Sequence, residues 1–400
     1  MALLPLDAAQ SRMLALAEPL PIERVPVAEA LGRYLAEPLV ARRTQPPADL
    51  SAMDGYALHA ADLPGPWRVI GESACGHPFA GEVAPGEAVR IATGALLPAG
   101  ADTVLVQEDT EREGEKLLLT GTPPAPPGKH IRRKGRDFTE GEVLLDGGEL
   151  LGPAGIARAL SGGHCLGAVR QRPRVVVIDS GDELSADPST CALHQIPASN
   201  GAMIAAQIEA ALPCAVRRIG PVADRLEDLV AALEASNDAH VIVTTGGASV
   251  GDHDLIRPAL AQWGAELDFW KVALKPGKPI MVARRGAQLV VGLPGNPVSS
   301  HVTAYLFLLP LLRALLGSAR PLPRSVVARA AEDLPAGGDR QEFLRAAWDG
   351  ERVSARLAQD SGALAALSAC NALIDRPSGA PPVSAGEPVA IYLIGNGGFA

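Results

Sequence analysis

Three short runs of branched apolar residues, each ending in small polar residues and glycine, restrict this chain more than anything else in its sequence. Val175-Val176-Val177-Ile178 leads into Asp179-Ser180-Gly181-Asp182-Glu183, Val241-Ile242-Val243 into the stretch from Thr244 to Asp254, and Leu289-Val290-Val291 into Gly292-Leu293-Pro294-Gly295-Asn296-Pro297. A strand without polar alternation needs apolar cover on both faces, as in a parallel sheet lying between helices. Ligands of such sheets bind outside the carboxyl ends of the strands, where helix N-termini offer free N–H groups to an anion. Between the last two junctions runs Trp270-Lys271-Val272-Ala273-Leu274-Lys275-Pro276-Gly277-Lys278-Pro279, a turn stiffened by proline that carries three lysines. Together these segments predict a site for a polyanion.

At 400 residues the chain should form several cores. Residues 1–45 with 138–172 are assigned to a small N-terminal domain, 46–137 to a β-rich domain, 173–318 to a three-layer α/β domain with a parallel-rich sheet, and 319–400 to a C-terminal β domain. Helix-like spacing covers residues 7–40, and a second helix is expected over 149–163, between Pro153 and Gly162-Gly163. In the last domain the candidate strands are 325–331, 342–348, 352–357 and 388–394. The net charge of −9 argues against a general nucleic-acid or membrane-surface binder, so an anion must meet a local basic cluster. Five cysteines without a C-x-x-C pair suggest a reducing cytoplasm, and the first residues lack the pattern of a cleaved signal. The apolar stretch from Val302 to Leu316 contains Pro310 and Arg313 and falls short of the roughly 20 residues of a membrane span. It is expected to be a buried helix.

Gly246, Gly247 and Gly251 let the backbone approach a phosphate, and Thr244, Thr245 and Ser249 add hydroxyls; a tight turn without a ligand is the alternative. Lys271, Lys275 and Lys278 suit oxyanion capture, against the alternative of a solvated loop. The run Lys129-His130-Ile131-Arg132-Arg133-Lys134-Gly135-Arg136 can focus an anion or be an exposed basic turn. Acids recur beside these loops: Asp179, Asp182 and Glu183, then Asp252 and Asp254, and Asp54 in Ser51-Ala52-Met53-Asp54-Gly55-Tyr56-Ala57. Carboxylates near phosphates point to Mg²⁺, for which one or two suffice; Asp182 and Asp252 read equally as helix N-caps. No Ser-His-Asp, Cys-His or H-E-x-x-H arrangement is present, which leaves electrostatic positioning as the mechanism.

The segments 51–57, 90–95, 131–137, 181–184, 246–254, 270–279 and 292–299 resemble, in unbroken order, those of the molybdopterin molybdenumtransferase (MoeA) family, to which the C-terminal domain of gephyrin is related. The resemblance implies a homodimer of elongated four-domain subunits, a third domain similar to molybdopterin adenylyltransferase, and a barrel-like C-terminal domain. It also implies a reaction: adenylylated molybdopterin is bound with a divalent metal, molybdate is delivered to the dithiolene sulfurs, and molybdenum cofactor and AMP leave. Molybdopterin adenylyltransferase would be the donor and molybdoenzymes the acceptors. Carried over to this sequence, the functional acids fall on Asp54, Asp137, Glu183 and Asp254, the hydroxyl on Thr93 and the lysines on Lys271 and Lys275. Asp224 matches a further acid loosely. Asp54, Glu183 and Asp254 are the implied metal ligands. Ser180, Gly181, Asp182, Asn200, Gly246, Gly247, Ser249, Gly251, Lys278, Pro294, Asn296 and Ser299 are the implied binding residues, with Arg132 and the loop 294–299 as candidates for molybdate. Asp54, Thr93 and Asp137 would approach from one subunit and the rest from the other.

Two departures stand out. The family's Ser-Thr-Gly-Asp-Glu is here Asp179-Ser180-Gly181-Asp182-Glu183, which adds a carboxylate beside the nucleotide site and leaves the number of metal ions open. Pro197 and Ala198 replace a more usual aromatic and polar pair, so contacts at the substrate edge can differ. Two other readings compete with the insertase: a molybdopterin adenylyltransferase, which leaves segments 51–57 and 131–137 unexplained, and a non-catalytic scaffold like gephyrin.

Overall fold

The three apolar runs lie side by side in the middle of one mixed sheet of a computed structural model that describes residues 3–246, 255–355 and 357–395. The strand order is Ala215–Val222, Arg174–Ser180, Val241–Thr245, Gln288–Leu293, Met281–Arg285, Glu266–Trp270, all in one direction except Met281–Arg285, which is antiparallel to both of its neighbours. Asp179 stands opposite Thr245, and Thr245 opposite Leu293, so the three strand ends finish level. Alternate residues feed two cores. Val175, Val177, Val241, Val243, Leu289 and Val291 pack with helix Asn200–Ala211 and the long helical stretch from Pro297, whereas Val176, Ile178, Ile242 and Val290 pack with helices Leu226–Glu234 and Ile256–Gln262. Burial on both faces is the physical reason for the unbroken apolar runs.

The stretch Pro297–Leu315 is helical throughout, with a π turn over Ala304–Leu308 just before Pro310. Loosened backbone pairing of this kind accommodates a proline that lacks an N–H. The helix is long and apolar enough to cross a membrane, yet 89% of it is buried inside the chain.

Helical structure between residues 7 and 40 is confined mainly to Leu6–Ala15, after which Pro19 and Pro21 steer the chain into strand Ile22–Pro26. That first helix buries Leu6, Ala9 and Met13 in the core of the α/β unit, and Arg12 reaches Asp268 at 3.0 Å. Strand Ile22–Pro26 pairs with Leu166–Arg170, and helix Pro153–Ser161 covers a small core containing Val27, Leu35, Leu151 and Val169.

A second six-stranded sheet runs Thr103–Val106, Gly55–Leu58, Glu87–Ile91, Trp67–Ser73, Lys116–Leu119, Thr110–Glu113. Near the C-terminus, Val326–Ala330, Gln341–Trp348, Arg352–Ser354, Ala372–Arg376 and Pro388–Leu393 close into a five-stranded barrel, because Gln341–Trp348 pairs with both Arg352–Ser354 and Ala372–Arg376. Strand Ala372–Arg376 lies outside the four segments expected from the sequence; it follows helix Leu364–Ala369 after only Cys370 and Asn371. The two-residue strand Leu274–Lys275, from the lysine turn, joins this barrel parallel to Gln341–Glu342.

Gly55 begins its strand where a Cβ would collide with the carbonyl oxygen of Leu105, a backbone atom that cannot swing away. Gly55→Ala is therefore expected to cost about 1–3 kcal/mol, as overpacking does. Urea unfolding followed through Trp67, buried in the same sheet, checks this; an unchanged midpoint would contradict the close approach.

Candidate functional site

The strand ends converge because glycine lets backbone meet backbone. Gly246 has φ +120°, and a Cβ there would lie 2.9 Å from the Ser180 carbonyl oxygen; one on Gly295 would lie 3.7 Å from the Gly246 Cα. The Gly246 N–H donates to Leu293 O at 3.3 Å, and Asn200 Nδ2 donates to Gly295 O at 2.6 Å. Ser180, Gly181, Asn200, Gly246, Pro294 and Gly295 thus form one floor. Ser180 Oγ and Thr244 Oγ1 are buried at these strand ends with no hydrogen-bond partner among the described residues. Gly247, Ser249, Gly251, Asp252 and Asp254 lie outside the described residues.

Acidic groups border this floor. Glu183 folds its carboxylate back across Gly181, where a Cβ would stand 2.5 Å from Glu183 Oε2. Its carbonyl accepts Ile196 N–H at 2.8 Å, and Leu184–Ser185 pairs with Ile196–Pro197, so the segment bearing Pro197 and Ala198 props up the loop that presents Glu183. Asp182 Oδ1 accepts the N–H of Asp224 at 3.0 Å, which brings these two acids together. No group of three or more His, Cys, Asp or Glu side chains that could hold a metal occurs among the described residues. The exposed carboxylates of Asp182 and Glu183 are oxygen donors of the kind Mg²⁺ takes, with waters completing its shell.

Asp179 behaves differently from the other acids. It is buried at 4% exposure, accepts Thr245 Oγ1, and receives the Gly201 N–H at the start of helix Asn200–Ala211. Burial pushes its carboxyl above the usual range, against the opposing pull of Thr245, Gly201 and Arg218. The extra carboxylate of this chain thus joins two strands to a helix from below the floor.

The lysine turn splits its three cations. Lys271 is the one non-glycine among the described residues with a positive φ, +72°, and its Nζ lies 3.9 Å from the Trp270 ring centroid; the Arg257 guanidinium lies 4.3 Å from the same centroid. A left-handed lysine is strained, and such strain recurs at functional sites. Gly277 presses against Thr303 and the Ser299 carbonyl, seating the turn on the helix that follows the third junction. Lys275 pairs with Glu342 of the barrel at 2.8 Å. Asn296 is likewise drawn to the barrel side through Ser361 Oγ at 2.9 Å, and Ser299 is buried. Lys278 N–H groups remain on an exposed side chain, while its carbonyl takes the Val272 N–H at 3.0 Å.

Asp54 and Thr93 meet at one end of the β-rich sheet, and Asp137 follows the short strand Ile131–Arg132 that pairs with Leu50–Ser51. Asp54 Oδ1 accepts the Thr93 N–H at 2.7 Å; that bond, the Thr93 hydroxyl and the Arg90 charge hold its carboxyl below the usual range. Asp137 donates its N–H to Gln45 O at 3.1 Å, and Ser51 links the parts by pairing with Ile131 and accepting Gly94 N–H at 2.8 Å. Arg132 lies exposed in the same ladder, opposite Leu50. The described hydrogen bonds of Asp54 and Thr93 stay within this domain. Two residues support this end of the sheet: Arg90, which opens the segment 90–95, and Cys75, which lies outside every motif. Arg90 donates to Gly55 O at 2.8 Å and stacks on Tyr56, its cross-strand partner, and Cys75 Sγ donates to Thr93 O at 3.2 Å. The place of Arg90 in a motif was a usable signal, although its pairing with Tyr56 was not legible; Cys75 offered none.

Comparison with known proteins assigns residues 4–163 to the MoeA N-terminal region (domain I and II), 176–314 to a probable molybdopterin binding domain and 327–394 to the MoeA C-terminal region (domain IV). The chain is 36% identical over 390 residues to the molybdopterin molybdenumtransferase of Synechococcus elongatus, covering 93% of this chain and 94% of the relative. It is 34% identical over 348 residues to that of Haemophilus influenzae, covering 86% and 85%. A crystal structure of the Pyrococcus horikoshii molybdopterin biosynthesis MoeA protein superposes with a TM-score of 0.84 at 29% identity, covering 98% of this chain and 100% of the other.

Thr93→Val keeps the backbone N–H to Asp54 and removes the hydroxyl, so the Asp54 carboxyl should titrate closer to its ordinary value. The sign follows from linkage: a lowered carboxylate pKa contributes stability above the ordinary value that is lost as pH falls through the lowered one. In the variant the contribution should be smaller and its loss complete at a higher pH. Carboxyl-carbon NMR titration reads this directly, and an unshifted Asp54 would refute the hydroxyl's part.

Proposed function

Since the chain belongs to the MoeA family, the molybdopterin molybdenumtransferases of molybdenum cofactor biosynthesis, we propose that it takes adenylylated molybdopterin and molybdate as substrates and releases AMP with the finished cofactor. The observation that carries this reading is the floor of Ser180, Gly246 and Asn200 beside a lysine turn with a strained Lys271. Backbone amides and ammonium groups together suit a phosphoanhydride.

In this mechanism the glycine floor binds the pyrophosphate, and Lys271 and Lys278 neutralise its charge and orient the bond to be cleaved. Glu183, with Asp254, would hold Mg²⁺, which supplies charge neutralisation at the phosphates when bound. No protein nucleophile is required: charge gathering on the departing AMP phosphate is met by groups already in place. Asp54, kept ionised by Thr93, orients the hydroxyl and amide of Thr93 from the other side, and Arg132 offers a cation to molybdate.

In a homodimer with its sites between subunits, Asp54 and Thr93, which hydrogen-bond to each other in the β-rich domain, would face the glycine floor and lysine turn of the partner. Five free cysteines agree with a cytoplasmic enzyme. An adenylyltransferase alone would not require the organised end of the β-rich domain, and a scaffold would not require Lys271 in a left-handed conformation.

The deciding experiment is AMP release from purified adenylylated molybdopterin with Mg²⁺, with and without molybdate, paired with activation of an apo molybdoenzyme by the product. Release that depends on molybdate and yields active product is expected; ATP-dependent formation of the adenylate would move the chain to the adenylyltransferases. Lys271→Ala should slow release about a hundredfold or more, the scale of losing one preorganised charge donor. Co-expressed Asp54→Ala and Lys271→Ala chains should regain activity, because a mixed dimer rebuilds one intact site. No recovery would put the whole site within a single chain.

A further inference from the structure

Lys275 differs from the other lysines of its turn in having a carboxylate placed beside it by a different domain. Leu274–Lys275 runs parallel to Gln341–Glu342, with Lys275 and Glu342 as direct register partners. Partners in register project to the same side of a sheet, so the ladder itself brings the two charges together. Lys275 Nζ lies 2.8 Å from Glu342 Oε1. Two more bonds fasten the turn to this strand: Gln341 N–H to Ala273 O at 3.1 Å and Arg340 Nη1 to Leu274 O at 3.3 Å.

The pair is asymmetric. The Lys275 side chain is 54% exposed on a long flexible stem, whereas Glu342 is 19% exposed on a strand held on its other edge by Ala372–Arg376. Arg376, opposite Glu342 in that ladder, gives its Nη2 to the carbonyls of Pro335 and Pro381. Asp375 takes the amide of Gln341. Neither neighbour competes for the Glu342 carboxylate through these bonds, so the ammonium can swing away while the carboxylate stays.

We propose that Glu342 is a built-in counter-anion for Lys275, exchanged for the phosphate oxygens of the substrate, so that the C-terminal barrel sets the affinity of the site for anions. Glu342 is then a positioning residue that acts through Lys275. The proposal rests on the assignment of the lysine turn to a pyrophosphate group. An exposed ion pair is weak, on the order of a fewfold in an equilibrium constant. Such a pair can hold a side chain ready without preventing its release.

Calorimetric titration of the full-length protein with inorganic pyrophosphate tests this, using Glu342→Gln, Glu342→Asp, Lys275→Ala and the Glu342→Gln/Lys275→Ala double variant. Glu342→Gln should bind pyrophosphate about two- to fivefold more tightly, and the gain should shrink at high salt. Glu342→Asp, which keeps the charge, should show no such gain, and neither should Glu342→Gln in the Lys275→Ala background. If Lys275→Ala weakens binding but Glu342→Gln leaves it unchanged or weaker, the exchange is refuted while the lysine site stands. A gain of equal size in the double variant would make it a general charge effect and overturn the proposal. If Lys275→Ala itself has no effect, Lys275 does not meet pyrophosphate and the proposal is overturned, while loss of pyrophosphate binding by the wild-type chain would overturn the assignment of the turn itself.

Discussion

The nearness of the Gly246 backbone to the Ser180 carbonyl governs how this molecule builds its anion floor. At φ +120°, with a Cβ position only 2.9 Å from that oxygen, any larger residue would pry two central strands apart at their carboxyl ends. The strand register delivers the loops level with one another, and missing side chains let them touch. Asn200 can then span from the start of its helix to Gly295, which joins the first and third loops across the second.

What could be read from the chain followed from periodicity. Unbroken apolar runs such as Val175–Ile178 and Val241–Val243 are buried on both sides, and a short window of sequence carries that information. Pro153 and the glycines after Ser161 marked a helix for the same local reason. Pairings across distance were not legible. Nothing near Leu274 signals that two residues of a turn will enter a ladder with Gln341 and Glu342, because a two-residue strand has no period. The first helix illustrates the same limit: its spacing of Ala and Leu marks a buried face but not the core that will bury it. Among candidate site residues, motif position located Asp54 and Thr93 but not Cys75, whose contact with the Thr93 carbonyl depends on how two loops fold together.

The C-terminal barrel is more than an appended unit. It accepts a strand from the lysine turn, a side chain from Asn296 and the backbone N–H of Val298, through Ser361. Two of the loops that form the site are therefore held from outside the α/β unit. Stiffness there is a property of two cores at once, and softening either one is felt in the placement of the same lysines.

Asp179 and Gly201 carry a consequence for how sequences of this type can diverge. The carboxylate occupies the volume that a side chain at position 201 would need and takes the N–H of that same residue. A lineage that acquires the acid must already hold glycine at 201. One that grows a side chain at 201 must first give up the acid for something as small as serine. The two positions are bound to drift as a pair, twenty-two places apart in the chain, and their joint history should leave a statistical trace in descendants long after other local likeness has faded.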